Sequence, residues 1–114
     1  MRKLNLIVVD GCELTRLLLK CMFQASSAIE IVGEAGDYKS AVAVLNNVIP
    51  DGVIIGDELP ESEEAMLVSA IQSDFSNMQV IKLAALENAL QKAKGLPMEH
   101  LDHAVITAMA RSSL

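Results

Sequence analysis

Carboxylates dominate the side chains of this sequence that could do chemistry. Asp57, Glu58, Glu61, Glu63 and Glu64 form an acidic run. Such a run can meet a basic partner, but more often it is solvated, and Glu63 and Glu64 suit a first helical turn, where the macrodipole favours negative charge. Glu99-His100-Leu101-Asp102-His103 sets two histidines at i and i+3. A transition metal needs a third protein ligand at fixed spacing, and none is present, so a surface helix is the plainer reading. Cys12 and Cys21 do not make a disulfide framework. A redox role for Cys12 would require a lowered pKa and exposure, and the sequence read alone leaves it an inert small residue in a reducing, cytoplasmic setting.

Composition excludes several classes. A net charge of −6 with nine scattered Lys and Arg offers no phosphate-binding surface, so no direct nucleic-acid contact is expected. Tyr38, Phe23 and Phe75 make no stacking platform for single strands. No apolar run approaches the roughly 18 residues of a membrane span, and the stretch after Met1-Arg2-Lys3 is broken too soon by Asp10 for a signal peptide. The 114 residues fit one domain, 1–114, and because the sequence is 52% hydrophobic but only 3% aromatic, its core must be built from Val, Ile, Leu, Ala and Met. That is the usual filling of a parallel sheet covered on both faces.

The elements that would position these residues alternate in βαβ fashion. Leu4 to Val9 reads as a buried strand ending at Asp10-Gly11. Leu14, Leu18, Cys21, Met22 and Ala25 stripe a helix from about Glu13 to Ala25. Ile29 to Glu34 is a second strand, and Asp37 caps a helix carrying Ala41, Val44, Leu45 and Val48. Gly52 to Gly56 is the third strand, Asp57 to Pro60 a loop, and Ser62 caps a helix bearing Leu67, Ala70 and Ile71. Met78 to Leu83 is the fourth strand. Ala84 to Lys94 consists of strong helix formers closed by Gly95, and Leu101, Ala104, Val105 and Ala108 stripe a last helix. No convincing fifth strand is legible.

From Lys3 to about Ala85 the sequence resembles the receiver domain of two-component response regulators of the NarL/FixJ kind. The resemblance rests on Ile7-Val8-Val9-Asp10, Glu30-Ile31-Val32-Gly33-Glu34-Ala35, Ile49-Pro50-Asp51-Gly52-Val53-Ile54-Ile55, and Pro60. It implies an α/β, flavodoxin-like, doubly wound parallel sheet in the order 2-1-3-4, the fifth strand lost or altered, with ligands at the carboxyl ends of the strands. It also implies a site: two acidic residues after strand one for Mg²⁺, an Asp at the end of strand three as phosphoacceptor, a hydroxyl after strand four and a Lys after strand five. A carboxylate is the nucleophile, and Mg²⁺ held by hard oxygens neutralises the transferring phosphoryl group.

This sequence departs from that pattern. Asp10 fills the first acidic position, but Gly11 stands at the second, Gly56 at the phosphoacceptor and Ala84 at the hydroxyl. Lys94 has a spacing like that of the family lysine, but it needs a strand where propensity says helix. Ala84 to Pro97 cannot hold a helix, a return and a strand, since a parallel crossover takes about a dozen residues or more. Loss of strand five is the favoured reading, and a strand over 89–94 with loss of the helix is the other.

The expectation is a non-enzymatic, phosphorylation-independent signalling module that acts by protein–protein contact and needs no cofactor. It would be the regulatory half of a transcription regulator if a DNA-binding domain accompanies it. The alternative is an active receiver phosphorylated on Asp57, with Asp10 and Asp57 holding Mg²⁺. Asp57 lies one residue past the expected site, however, and a one-residue slip turns a strand side chain to the other face. Asp10 has a plainer role as a strand-end Asp making turn hydrogen bonds. A homodimer is also expected, because without a fifth strand the fourth becomes a bare apolar edge.

Overall fold

The computed structural model describes residues 3–75 and 77–92. Its elements are β1 (Leu4–Val9), α1 (Glu13–Phe23), β2 (Ile29–Ala35), α2 (Tyr38–Asn47), β3 (Gly52–Ile55), α3 (Glu61–Asp74), β4 (Gln79–Lys82) and α4 (Leu83–Lys92). The strands form one parallel sheet in the order β2-β1-β3-β4, the order the resemblance implies.

Side chains along a strand alternate between the two faces of the sheet, and this parity sorts the core into two layers. Leu6, Val8, Ile54 and Ile81 meet Leu19 and Phe23 of α1 and Leu83 and Leu86 of α4. Ile7, Val9, Val53 and Ile55 meet Ala41 and Leu45 of α2 and Leu67 and Ile71 of α3. So α1 and α4 cover one face, and α2 and α3 the other. Right-handed crossovers require this placement for α1, α2 and α3, given the strand order. A further parallel strand beside β4 would need its helix on the α2/α3 face. The helix that follows β4 lies on the opposite face instead.

Local chemistry fixes the ends of the elements. Asp37 caps α2 by accepting from the Ser40 N–H at 2.7 Å, and Ser40, through its N–H first and then its hydroxyl, holds the Asp37 carboxyl below its ordinary range. Ser26 turns the chain into β2, its Oγ accepting from the N–H groups of Ala28 and Ile29 at 3.1 and 2.9 Å. Asp51 ties three strands together at the amino end of the sheet. Its N–H donates to the Asn5 carbonyl at 2.7 Å, its Oδ2 accepts from the Asn5 N–H at 2.8 Å, and its carbonyl accepts from the Gln79 N–H at 3.1 Å.

Several sequence expectations change. Helix α3 begins at Glu61 with Pro60 at the capping position and no side-chain cap, so Ser62 is not the cap; proline's fixed φ suits a helix start without one. Of the stripe expected to bury α1, only Met22 packs against the core: Leu14 and Leu18 are 61% and 60% exposed, Cys21 and Ala25 are exposed, and Leu19 and Phe23 enter the core instead. The helix is apolar on two faces, so periodicity offered both. After β4 the chain is helical through Lys92, which overturns a strand over residues 89–92. Lys94, the histidine pair and the last helix lie outside the described residues.

Candidate functional site

The loops at the carboxyl ends of β1 and β3 bring Asp10, Gly11, Gly56 and Glu58 together. Asp10 leaves β1 with its N–H donating to the Ala35 carbonyl at 3.0 Å, and Gly56 leaves β3 with its N–H donating to the Val9 carbonyl at 2.9 Å. These ladder bonds hold the ends of β1 and β3 side by side. The Asp10 side chain is buried, at 1% exposure. Its Oδ1 accepts from the Cys12 N–H at 2.7 Å, whereas Oδ2 has no hydrogen-bond partner among the described residues.

The Asp10 carboxylate lies where a side chain at position 56 would begin. A Cβ on Gly56 would stand 1.6 Å from Asp10 Oδ2, 2.5 Å from its Cγ and 2.8 Å from its Cβ. Gly11 is closed off in a similar way: a Cβ there would meet the Glu58 backbone carbonyl oxygen at 2.4 Å. The glycines at the second acidic position and at the phosphoacceptor position are thus both points of close approach, Gly11 on the exposed rim and Gly56 in the buried floor. Asp57, the next residue, is exposed in the turn, and Ala84 is exposed in the first turn of α4. The structure therefore joins Asp10 with Gly11 and Gly56, and leaves Asp57 and Ala84 facing solvent.

The donor set does not fit Mg²⁺. That ion asks for near-octahedral oxygen coordination and usually keeps several waters. Among the described residues, one buried carboxylate, with an oxygen already accepting a backbone N–H, is the only acidic group enclosed at the site. No cluster of three or more His, Cys, Asp or Glu suited to a metal occurs among the described residues.

Arg16 is the residue that sequence reasoning missed. Its Nη1 donates to the Asp10 carbonyl at 2.6 Å and its Nε to Glu34 Oε1 at 2.8 Å, so it ties α1 to the ends of β1 and β2. Lys20, one turn on, pairs with the other Glu34 oxygen. The signal was the i, i+4 spacing of Arg16 and Lys20 opposite a strand carboxylate. Lys20 and then Arg16 hold the Glu34 carboxyl below its ordinary pKa of 4.5. A depressed folded-state pKa contributes stability that is complete above the unfolded value and is lost as pH falls through the folded one. With Glu34 31% exposed, the contribution is about 0.5 kcal/mol. Glu34→Gln is expected to lower urea stability by that amount at pH 7. The difference should begin to shrink as pH falls past 4.5 and disappear only below the lowered folded-state value.

Cys12, at the N-cap of α1, has its thiol pKa lowered, chiefly by the Thr15 hydroxyl and then by the Thr15 N–H. It is half-buried.

The sheet order and the placement of α1, α2 and α3 on it are those of the receiver fold of two-component response regulators. The chain is similar to the signal receiver domain of the response regulator NarL from Mycobacterium tuberculosis (TM-score 0.68, 21% identity, 95% of this chain and 98% of that one). It is also similar to the isolated receiver domain of RcsB from Salmonella enterica serovar Typhimurium, solved with a phosphomimetic (TM-score 0.62, 17% identity, 71% of this chain and 61% of that one). Among curated proteins it is 28% identical over 86 residues to a protein-glutamate methylesterase/protein-glutamine glutaminase of Trichodesmium erythraeum, covering 75% of this chain and 24% of that protein. It is 28% identical over 90 residues to one of Oleidesulfovibrio alaskensis, covering 79% and 25%. The chain thus spans about a quarter of the length of these curated relatives. No protein-family profile matches the sequence. Among the described residues no helix is long and apolar enough to cross a membrane.

Proposed function

We propose that this chain is a receiver module that signals through protein–protein contact without being phosphorylated and without Mg²⁺. The observation that carries this reading is the Asp10 carboxylate in the space of the missing residue-56 side chain. A receiver needs a carboxylate nucleophile at the end of β3 and a cation to neutralise the phosphoryl group. Here the β3 position has no side chain, and the buried Asp10 carboxylate fills the gap. Gly11 against the Glu58 carbonyl supports the same reading, because an acidic side chain there would displace the loop. The output is then set by what the module touches: a separate protein, a second copy, or a further domain such as the DNA-binding part of a transcription regulator. Such an exchange of contacts takes place in the cytoplasm.

The test is treatment with a small acyl-phosphate donor and Mg²⁺, read by intact mass, beside an amide NMR titration with Mg²⁺ and beryllofluoride. Unchanged mass and unchanged spectra are expected. An acid-labile phosphoryl adduct that disappears in Asp57→Ala, with shifts around Asp10 and Asp57, would overturn the proposal and make Asp57 the acceptor.

A further inference from the structure

The four strands are parallel, so every loop that leads from a strand into a helix lies at the carboxyl end of the sheet. Acidic side chains gather there. Glu13 opens α1, Asp57 and Glu58 fill the turn after β3, and Glu61 opens α3; all four are exposed. Among the described residues none of the four side chains makes a hydrogen bond or an ion pair. The other carboxylates at this end are taken up within the fold. Asp37 caps α2, Glu63 accepts from the Tyr38 N–H at 2.9 Å, and Glu64 pairs with Lys82. Arg16 is turned to Glu34. Lys39, in the first turn of α2, is then the only basic side chain at this end without an ion pair among the described residues. The helix N-termini that point here carry about half a positive charge each, which offsets only part of the acidic rim.

A rim of this kind is by itself an ordinary solvated surface. What lies beneath it is not. Asp10 is 1% exposed, its Oδ1 takes one backbone N–H, and its Oδ2 has no donor among the described residues. A buried carboxylate oxygen without a donor is costly, and its charge is screened less than that of the exposed acids. It sits between the ends of β1 and β3, beside Gly11 on the exposed rim. The acids are also spread out: among the described residues no three of them, with or without Cys12, close on a point that a metal ion could occupy. Charge spread in this way matches several cations spaced along a chain better than it matches a single ion.

We propose that the carboxyl end of the sheet docks a basic segment of a partner protein, whose Lys and Arg side chains lie across Glu13, Asp57, Glu58 and Glu61 with Asp10 beneath them. The inference rests on the reading of the chain as a contact module that is not phosphorylated, and it names the chemistry of the partner. Asp10 is closed from solvent, so it acts through its field rather than by contact, and the cations lie over Gly11.

Fluorescence anisotropy with a labelled, end-blocked hexalysine peptide at low ionic strength tests this, with circular dichroism to show that each variant is folded. The peptide should bind, and added salt should weaken it steeply. Glu58→Gln and Glu61→Gln should each weaken binding about three-fold, in the range of one exposed ion pair. Asp10→Asn keeps the acceptor for the Cys12 N–H and should weaken binding at least as much. A chain of net charge −6 attracts any polycation, so the controls remove the same charge elsewhere: Glu30→Gln near the amino end of β2 and Asp74→Asn at the end of α3 should leave the affinity unchanged. Amide NMR shifts should centre on residues 10–13 and 57–61. Absence of binding would overturn the inference. So would controls that weaken binding as much as the rim changes, or an Asp10→Asn variant that binds like wild type. Spermine binding as tightly as hexalysine would also overturn it, and would mark a small-polyamine site instead. All of these are read without a phosphodonor, so failure here leaves the unphosphorylated module standing with a partner of other chemistry, whereas a phosphoryl adduct would sink the functional reading itself.

Discussion

Gly56→Ala should destabilise the protein by about 2–3 kcal/mol, far more than most single changes that add only a methyl group. The new Cβ would fall 1.6 Å from Asp10 Oδ2 and 2.8 Å from Asp10 Cβ. Rotating the Asp10 side chain moves the carboxylate away but leaves its Cβ in place. The ends of β1 and β3, held by the Gly56 N–H to Val9 carbonyl bond, must then part. Asp10→Ala by itself should cost little. It loses one hydrogen bond from the Cys12 N–H, but it also removes a buried carboxylate oxygen that has no partner among the described residues. Combined, Asp10→Ala and Gly56→Ala should lose roughly 1–2 kcal/mol less than the sum of the single changes, the coupling expected of residues in contact. Urea unfolding of the four proteins measures it. Strict additivity would mean that the two residues do not share this space. Gly56→Asp carries the same Cβ and should be destabilised at least as much, so restoring the receiver nucleophile alone should not restore a working site.

Leu86→Ala should lower stability by about 3 kcal/mol, within the usual range for truncating a buried leucine. Leu86 is fully buried and lies with Leu83 in the layer formed by Ile54, Ile81, Leu6 and Val8. These strand residues face α1's side of the sheet, and α4 closes that layer where β3 and β4 would otherwise meet water. A cavity left there has little means of collapse, because the strand residues beneath it are fixed by ladder pairing on both sides of β3. Glu87→Ala, one residue along and exposed, should be neutral. A loss well under 1 kcal/mol for Leu86→Ala would mean that α4 is not a packed part of the core.

Much of the fold was legible because it is written in local chemistry. Alternating apolar runs and helical stripes set the order of elements, Asp37 announced the start of α2, and the resemblance to receiver domains implied the 2-1-3-4 sheet. The departures at Gly11, Gly56 and Ala84 could be read directly, since a glycine offers no nucleophile and an alanine no hydroxyl. The sequence by itself thus determined the architecture and which chemical groups are absent.

The tertiary structure decided how the remaining groups meet. α1 carries apolar residues on two sides, so periodicity alone could not choose between the Leu14/Leu18/Cys21 stripe and the Leu19/Phe23 pair. The strand connections fix the rotation of the helix on the sheet, and they chose the latter. Nor does any local pattern place Asp10 against Gly56, some 46 residues apart by the same register that pairs Asn5 with Asp51. That contact exists because β1 and β3 lie side by side and end together. The face taken by α4 follows from the same cause: helix propensity makes a helix anywhere, and only the apolar surface left open beside α1 decides where it lies.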